Sequence, residues 1–217
     1  MRAIVQLMEV LIKQVNPDLI MILILVVSIV AIAIFFERAI YFFGRCRVKG
    51  KVLLTEIQSL VRSDRLKDAR NLCVKSNSPL ANCLEAALWH YEQGLSNEEI
   101  QNAVDEIALR ELPMVHRRIH YLGLLGNVST LLGLLGTILG LIQCFAALSD
   151  APPAEKGKLL ASGIAIAMYT TAAGLVIGIL CMVGYSMLSA RANIIIESID
   201  ESAVRLLNFL FVQRSNR

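Results

Sequence analysis

The stretch "TLLGLLGTILGL", residues 130–141, decides how the chain is read. It is leucine- and isoleucine-rich, yet Gly133, Gly136 and Gly140 interrupt it and Thr137 adds a hydroxyl. A glycine weakens a helix by about 1 kcal/mol relative to alanine, and a hydroxyl in hydrocarbon needs a partner. Spaced by threes and fours, Gly133, Gly136, Thr137, Gly140 and Cys144 share one helix face. A second apolar run repeats the pattern with Gly163, Ala167, Thr170, Thr171, Gly174, Gly178 and Cys181. Small residues let helices approach closely in lipid, so both faces want helix neighbours.

Composition supports a membrane chain. Of 217 residues, 56% are hydrophobic and 18% charged, with a mean hydropathy of +0.61. Soluble domains are nearer 45–50% apolar and about 25% charged. No carboxylate occurs at 112–149 or at 156–196. Three spans follow, at residues 19–36, 122–148 and 159–189. The first covers roughly 27 Å, about one hydrocarbon thickness. The other two exceed the roughly 20 residues needed to cross, so they tilt or project as continuous helices. No small-residue cleavage site follows the first run, which reads as a retained span rather than a signal peptide. Phe35, Phe36, Tyr41, Phe42 and Phe43 form an aromatic belt beside Arg38, Arg45, Arg47, Lys49 and Lys51.

The predicted fold is all-α: three transmembrane helices, with helices 2 and 3 extending into a cytoplasmic helical domain. Residues 1–18 read as an amphipathic segment or a plain lead-in. Residues 37–121 form the helical domain, 149–158 a short periplasmic loop, and 190–217 a C-terminal helix. Within the domain, Leu53, Ile57, Leu60 and Val61 form one stripe, and Leu66, Ala69, Leu72 and Cys73 another. "SPLANCLEAAL" (78–88) restarts a helix at Pro79, and "SNEE" (96–99) is a capping box. Trp89 reads as a core residue. In the tail, Ala192, Ile195, Ile199, Ala203, Leu206 and Leu210 make a coiled-coil-like stripe. Residues 38–118 and the tail hold 17 of the 21 Lys and Arg, which places both in the cytoplasm and the N-terminus outside.

Several function classes drop out. No basic face suits nucleic acid. There is no nucleophile elbow, phosphate loop or paired carboxylate site, so no enzyme and no cofactor is expected. The five cysteines form no CxxC pair and read as reduced thiols, with Cys144 and Cys181 as packing residues. His116 and His120 stand at i, i+4, a spacing that can bind metal, but they flank Arg117 and Arg118 and read as interfacial anchors. Tyr121, Tyr169 and Tyr185 read as packing or interface residues. Spans two and three contain no Asp, Glu, Lys, Arg or His. Ion relays through membranes generally need an ionisable residue, so a self-contained transporter is disfavoured. The two small-residue faces then have two readings: plain helix packing, or a shared wall for a pore or central helix, with threonine hydroxyls along it.

The motifs resemble the MotA/TolQ/ExbB proton-channel family, most like its ExbB and TolQ branches. "TLLGLLGTILGLIQCF" (130–145) is similar to the family's Pro-Leu-Leu-Gly-Leu-Leu-Gly-Thr run. "GIAIAMYTTAAGLVIGI" (163–179) is similar to its third-span motif, and "FERAIYF" (36–42) to the end of its first span. "SPLANCLEAAL" and "ALRELPMVHRRIHYLGLLGNV" (108–128) also fit, so the resemblance runs over about residues 19–190 in order. It implies pentamers in the bacterial inner membrane around a dimer of a single-span ExbD- or TolR-like partner, whose membrane aspartate carries protons. It places Thr137 and Thr171 at the pore-facing threonines. With Thr170 they are the candidate ion-path residues, and Gly133, Gly136, Gly140, Ala167, Gly174 and Gly178 the close-packing pore face. Thr130 stands where the family usually has Pro, and Ile166 where ExbB and TolQ commonly have Glu. The expected function is the channel-forming subunit of an ion-driven motor. The alternatives are a non-conducting oligomeric scaffold and a MotA-like stator using another ion.

Overall fold

A computed structural model describes residues 17–44, 50–76 and 78–215. The amphipathic segment expected at residues 1–18 falls almost wholly outside the described residues, as do Arg45, Arg47, Lys49 and Cys46 of the basic run. Every regular element among the described residues is an α-helix. They are α1 Pro17–Gly44, α2 Gly50–Arg62, α3 Leu66–Ser76, α4 Pro79–Glu92, α5 Asn97–His116, α6 Ile119–Asp150 and α7 Pro153–Ser215. Three stretches are long and apolar enough to cross a membrane, and they lie in α1, in α5–α6 and in α7. The chain is an all-α membrane protein. It divides into two compact units, one drawn from Met1–Phe36 and Ile119–Ser186, the other from Glu37–Arg118 and Met187–Arg217.

In the first unit, α6 and α7 run antiparallel. The loop expected over 149–158 shrinks to residues 151–152. Pro153 occupies the first turn of α7, where a missing N–H is harmless and a fixed φ is already helical. The two helices meet along their small residues. A Cβ on Gly174 would lie 2.6 Å from the Ser129 carbonyl oxygen and 2.8 Å from Gly133 Cα. One on Gly140 would lie 3.1 Å from Ala167 Cβ. Helix α1 packs against this pair: Ile20 and Ile24 are buried with Leu139, beside Leu132, Ala173 and Ile177. At its other end, Phe35 reaches within 3.0 Å of where a Gly184 Cβ would stand. The outward faces carry exposed Leu, Ile, Val and Met, among them Leu131, Ile138, Val176 and Leu180.

The second unit is built like a water-soluble bundle. Leu53, Ile57, Val61, Ala69, Cys73, Leu84, Leu88, Ile100 and Val104 form its core, joined by Ile199, Leu206 and Leu210 of α7. The tail stripe is therefore an internal seam of this unit, with Ile195 and Ala203 partly buried along it. Ser96 closes a capping box on α5: its hydroxyl accepts from the Glu99 N–H at 3.2 Å, and the Glu99 carboxylate accepts from the Ser96 N–H at 2.7 Å. These bonds hold the Glu99 carboxyl below the usual carboxylate range. Arg70 links Glu85 and Glu92 at 3.2 and 3.0 Å. Arg214 donates to the Gly94 and Leu95 carbonyls, which anchors the end of α7 on the α4–α5 turn.

Two expectations need correcting here. Trp89 is not in the core but 40% exposed. Leu80, Leu84, Ala87 and Leu88 take the buried stripe of α4, and position 89 lies off that stripe. The passage from the helical domain into the second span is also not one helix. The ladder breaks at residues 117–118, where Arg118 adopts φ 64°. His116 and His120 therefore fall on separate helices, and the i, i+4 argument for them lapses.

Candidate functional site

The seam between α6 and α7 collects most of the residues the sequence singled out. Gly133, Gly136 and Gly140 of α6 face Ala167, Thr170, Thr171 and Gly174 of α7, and Gly178 packs against the Gly126 carbonyl. The small side chains permit this approach, and backbone polar groups then come within reach of hydroxyls. Thr171 donates across the seam to the Gly133 carbonyl at 2.9 Å. Ser129 donates the other way, to the Gly174 carbonyl at 3.2 Å. The crossing at Gly133 and Gly174 is thus closed by a reciprocal pair of interhelical hydrogen bonds. Such bonds average roughly 0.6 kcal/mol each in membranes. Ser129 was missed at the sequence level. Its signal was present, since it stands four residues before Gly133 on the same face.

The three threonines occupy different environments. Thr170 is 1% exposed. It donates to the Ala167 carbonyl at 2.8 Å, and its Oγ1 lies 2.6 Å from where a Gly136 Cβ would be. It is therefore sealed inside the protomer's own seam. Thr171 is half-buried at the seam, and Thr137 half-buried beside Gly136, donating to the Leu134 carbonyl of its own helix at 2.6 Å. Structure thus brings Thr170 and Thr171 into the seam with the glycines and leaves Thr137 at its margin.

In each of the three, the hydroxyl donates to a backbone carbonyl, and at the half-buried Thr137 and Thr171 the oxygen is left to accept. Cations and proton donors are what such oxygens serve. Cys144 and Cys181 are buried and unpaired, filling gaps along the helices as expected. Of the departures from the family motifs, Thr130 returns its hydroxyl to the Gly126 carbonyl at 3.1 Å. Ile166 lies half exposed on α7, away from the seam.

Cys73 and Cys83 in the second unit are also free and buried. Burial pushes both thiols up to about 12. They are inert core residues.

A hairpin of two long apolar helices, zipped by glycines and free of internal charge, with a third span beside it, defines a multi-pass helical membrane protein. The profile of the MotA/TolQ/ExbB proton channel family matches residues 75–201, and the chain belongs to that family. It is similar to the biopolymer transport protein exbB1 of Vibrio cholerae serotype O1, with 40% identity over 75 residues, or 35% of this chain and 33% of that protein. It is likewise similar to the Tol-Pal system protein TolQ of Haemophilus influenzae. There the identity is 38% over 86 residues, or 40% of this chain and 37% of that protein. The chain thus matches about a third of the length of these curated relatives.

Proposed function

We propose that this chain is the channel-forming subunit of a bacterial inner-membrane motor that couples the ion-motive force, carried by protons, to work in the cell envelope. The observation that carries this reading is the chemistry of α6 and α7. Across residues 122–148 and 159–189 they offer acceptor oxygens and a smooth glycine-rich face but no Asp, Glu, Lys, Arg or His. An ion crossing beside them needs its titrating carboxylate from another chain. A single-span partner of the ExbD or TolR kind, present as a dimer within a pentamer of this chain, would supply an aspartate. Thr137 and Thr171 are the proposed ion-path hydroxyls. Thr170, Gly133, Gly136, Gly140, Ala167, Gly174 and Gly178 stiffen the wall behind them. Residues 37–121 and the C-terminal helix lie in the cytoplasm, and the N-terminus and the α6–α7 link in the periplasm.

One observation favours a non-conducting scaffold: each threonine proton is already spent on a carbonyl of the same protomer. Proton flux into vesicles holding this chain and its co-expressed partner separates the two. The channel reading expects Thr137→Ala with Thr171→Ala to lower flux roughly tenfold, the scale of one lost buried hydrogen bond. Unchanged flux would remove these residues from the path.

A further inference from the structure

We propose that Glu37 and Arg38, at the end of the first span, form a latch that holds the α5–α6 junction broken against an alternative in which α5 and α6 run as one helix. Nothing in this inference depends on the ion path. It rests on four local features. Arg118 sits at φ 64°, in the left-handed region, although it is neither glycine nor asparagine. Its guanidinium grips both Glu37 carboxylate oxygens at 2.6 Å. The neighbouring Arg38 donates from Nη1 to the Met114 carbonyl at 3.3 Å, on the other side of the break. Pro113, one residue earlier, has no N–H to give to the helical ladder.

Two consecutive residues of α1 therefore hold the chain before and within the same two-residue interruption. The grip is not free of strain. Arg38 is 5% exposed, and its Nε finds no partner among the described residues, although the guanidinium lies over the Tyr41 ring at 5.3 Å.

Magnitudes make the junction two-state rather than fixed. A left-handed non-glycine residue is disfavoured roughly tenfold in population. An ion pair as exposed as Glu37–Arg118, at 48% and 44%, restores about fivefold at most. The Arg38 contact and local packing supply the remainder. Forces of this size nearly balance, so loss of one grip lets the alternative populate. In that alternative Arg118 turns right-handed, and the N–H groups of residues 117–121 find carbonyls one turn back. In the broken form the first N–H groups of α6 have no such partners.

Hydrogen exchange on the full chain in nanodiscs, read on peptides covering residues 117–121, tests the latch. Wild type is expected to exchange fast there. Glu37→Gln and Arg118→Ala should each slow these amides by up to about fivefold, the share the ion pair contributes, since alanine carries the same left-handed penalty as the arginine it replaces. Arg118→Gly should stay fast, since glycine adopts that region freely even without the ion pair. The swap Glu37→Arg with Arg118→Glu should return fast exchange. Peptides from residues 80–88 should be unaffected in every variant. Wild-type exchange in both Glu37→Gln and Arg118→Ala would overturn the latch. So would slowing in Arg118→Gly equal to that in Arg118→Ala, or loss of protection at residues 80–88.

Discussion

The two units bury their contacts by opposite means. In the seam of α6 and α7, contact comes from side chains that are missing: Gly133, Gly136, Gly140 and Gly174 let backbones touch. In the helical domain, contact comes from large side chains, with Leu84, Leu88, Ile100, Leu206 and Leu210 fully buried. Solvent explains the difference. Water drives leucine inward, whereas lipid is as apolar as leucine and gives no such drive, so helices there associate through close packing and hydrogen bonds. A glycine that looks like a defect by helix propensity is thus the contact residue in one unit. In the other unit, Gly94 serves a turn with φ 77°, and Gly50 is buried where α2 starts, against Leu80, Ser198 and Ser202.

Substitutions that exchange the two strategies should expose the contrast. The largest effect is expected from Leu206→Ala in the helical domain, a loss of about 3–4 kcal/mol to the cavity left behind. Denaturant unfolding followed by Trp89 fluorescence reads it. Next, Gly174→Ala should lose about 2 kcal/mol, because the new methyl meets Ser129 carbonyl oxygen and Gly133 Cα, backbone atoms that cannot swing away. Steric trapping of the α6–α7 hairpin in bicelles checks it. A Gly174→Ala protein as stable as wild type would break the comparison.

Smaller again is Ser129→Ala, which removes one half of the reciprocal pair and should cost roughly 0.6 kcal/mol in the same assay. The smallest effect concerns pH. Hydrogen bonds from Ser96 hold the Glu99 carboxyl low. Glu99 therefore stabilises the fold above the ordinary carboxylate range, and this contribution is lost as pH falls through its depressed value. Glu99→Gln should flatten that part of the stability–pH profile, measured as Tm between about pH 6 and pH 3.

Much of this architecture is legible in the residues. Charge-free windows locate the spans, and the threes-and-fours spacing of Gly133, Gly136, Gly140, Gly174 and Gly178 marks the face that meets another helix. Periodicity names a face without naming its neighbour. Helix packing and a pore wall are therefore both readings of the same face, and the register adds only that Gly136 lies against Thr170. Local rules also miss effects that come from far along the chain. Arg118, at the break, pairs with Glu37, 81 residues away in sequence. Trp89 was misjudged on residue type alone, while the helical phase set by Leu80, Leu84 and Leu88 turns it outward. Between the loop expected at 149–158 and the two residues that actually connect α6 and α7, the difference is Pro153, which starts a helix as readily as it ends one.

The proposal that α6 lines a path filled by a partner helix has one direct test. In a protein whose native cysteines are replaced, Thr137→Cys is reacted with a small cationic thiol reagent, with and without a co-expressed single-span partner. The account predicts ready modification in the chain alone and protection of about tenfold or more once the partner is present, the scale of a burial worth roughly 1.4 kcal/mol. Equal modification in both preparations would contradict it.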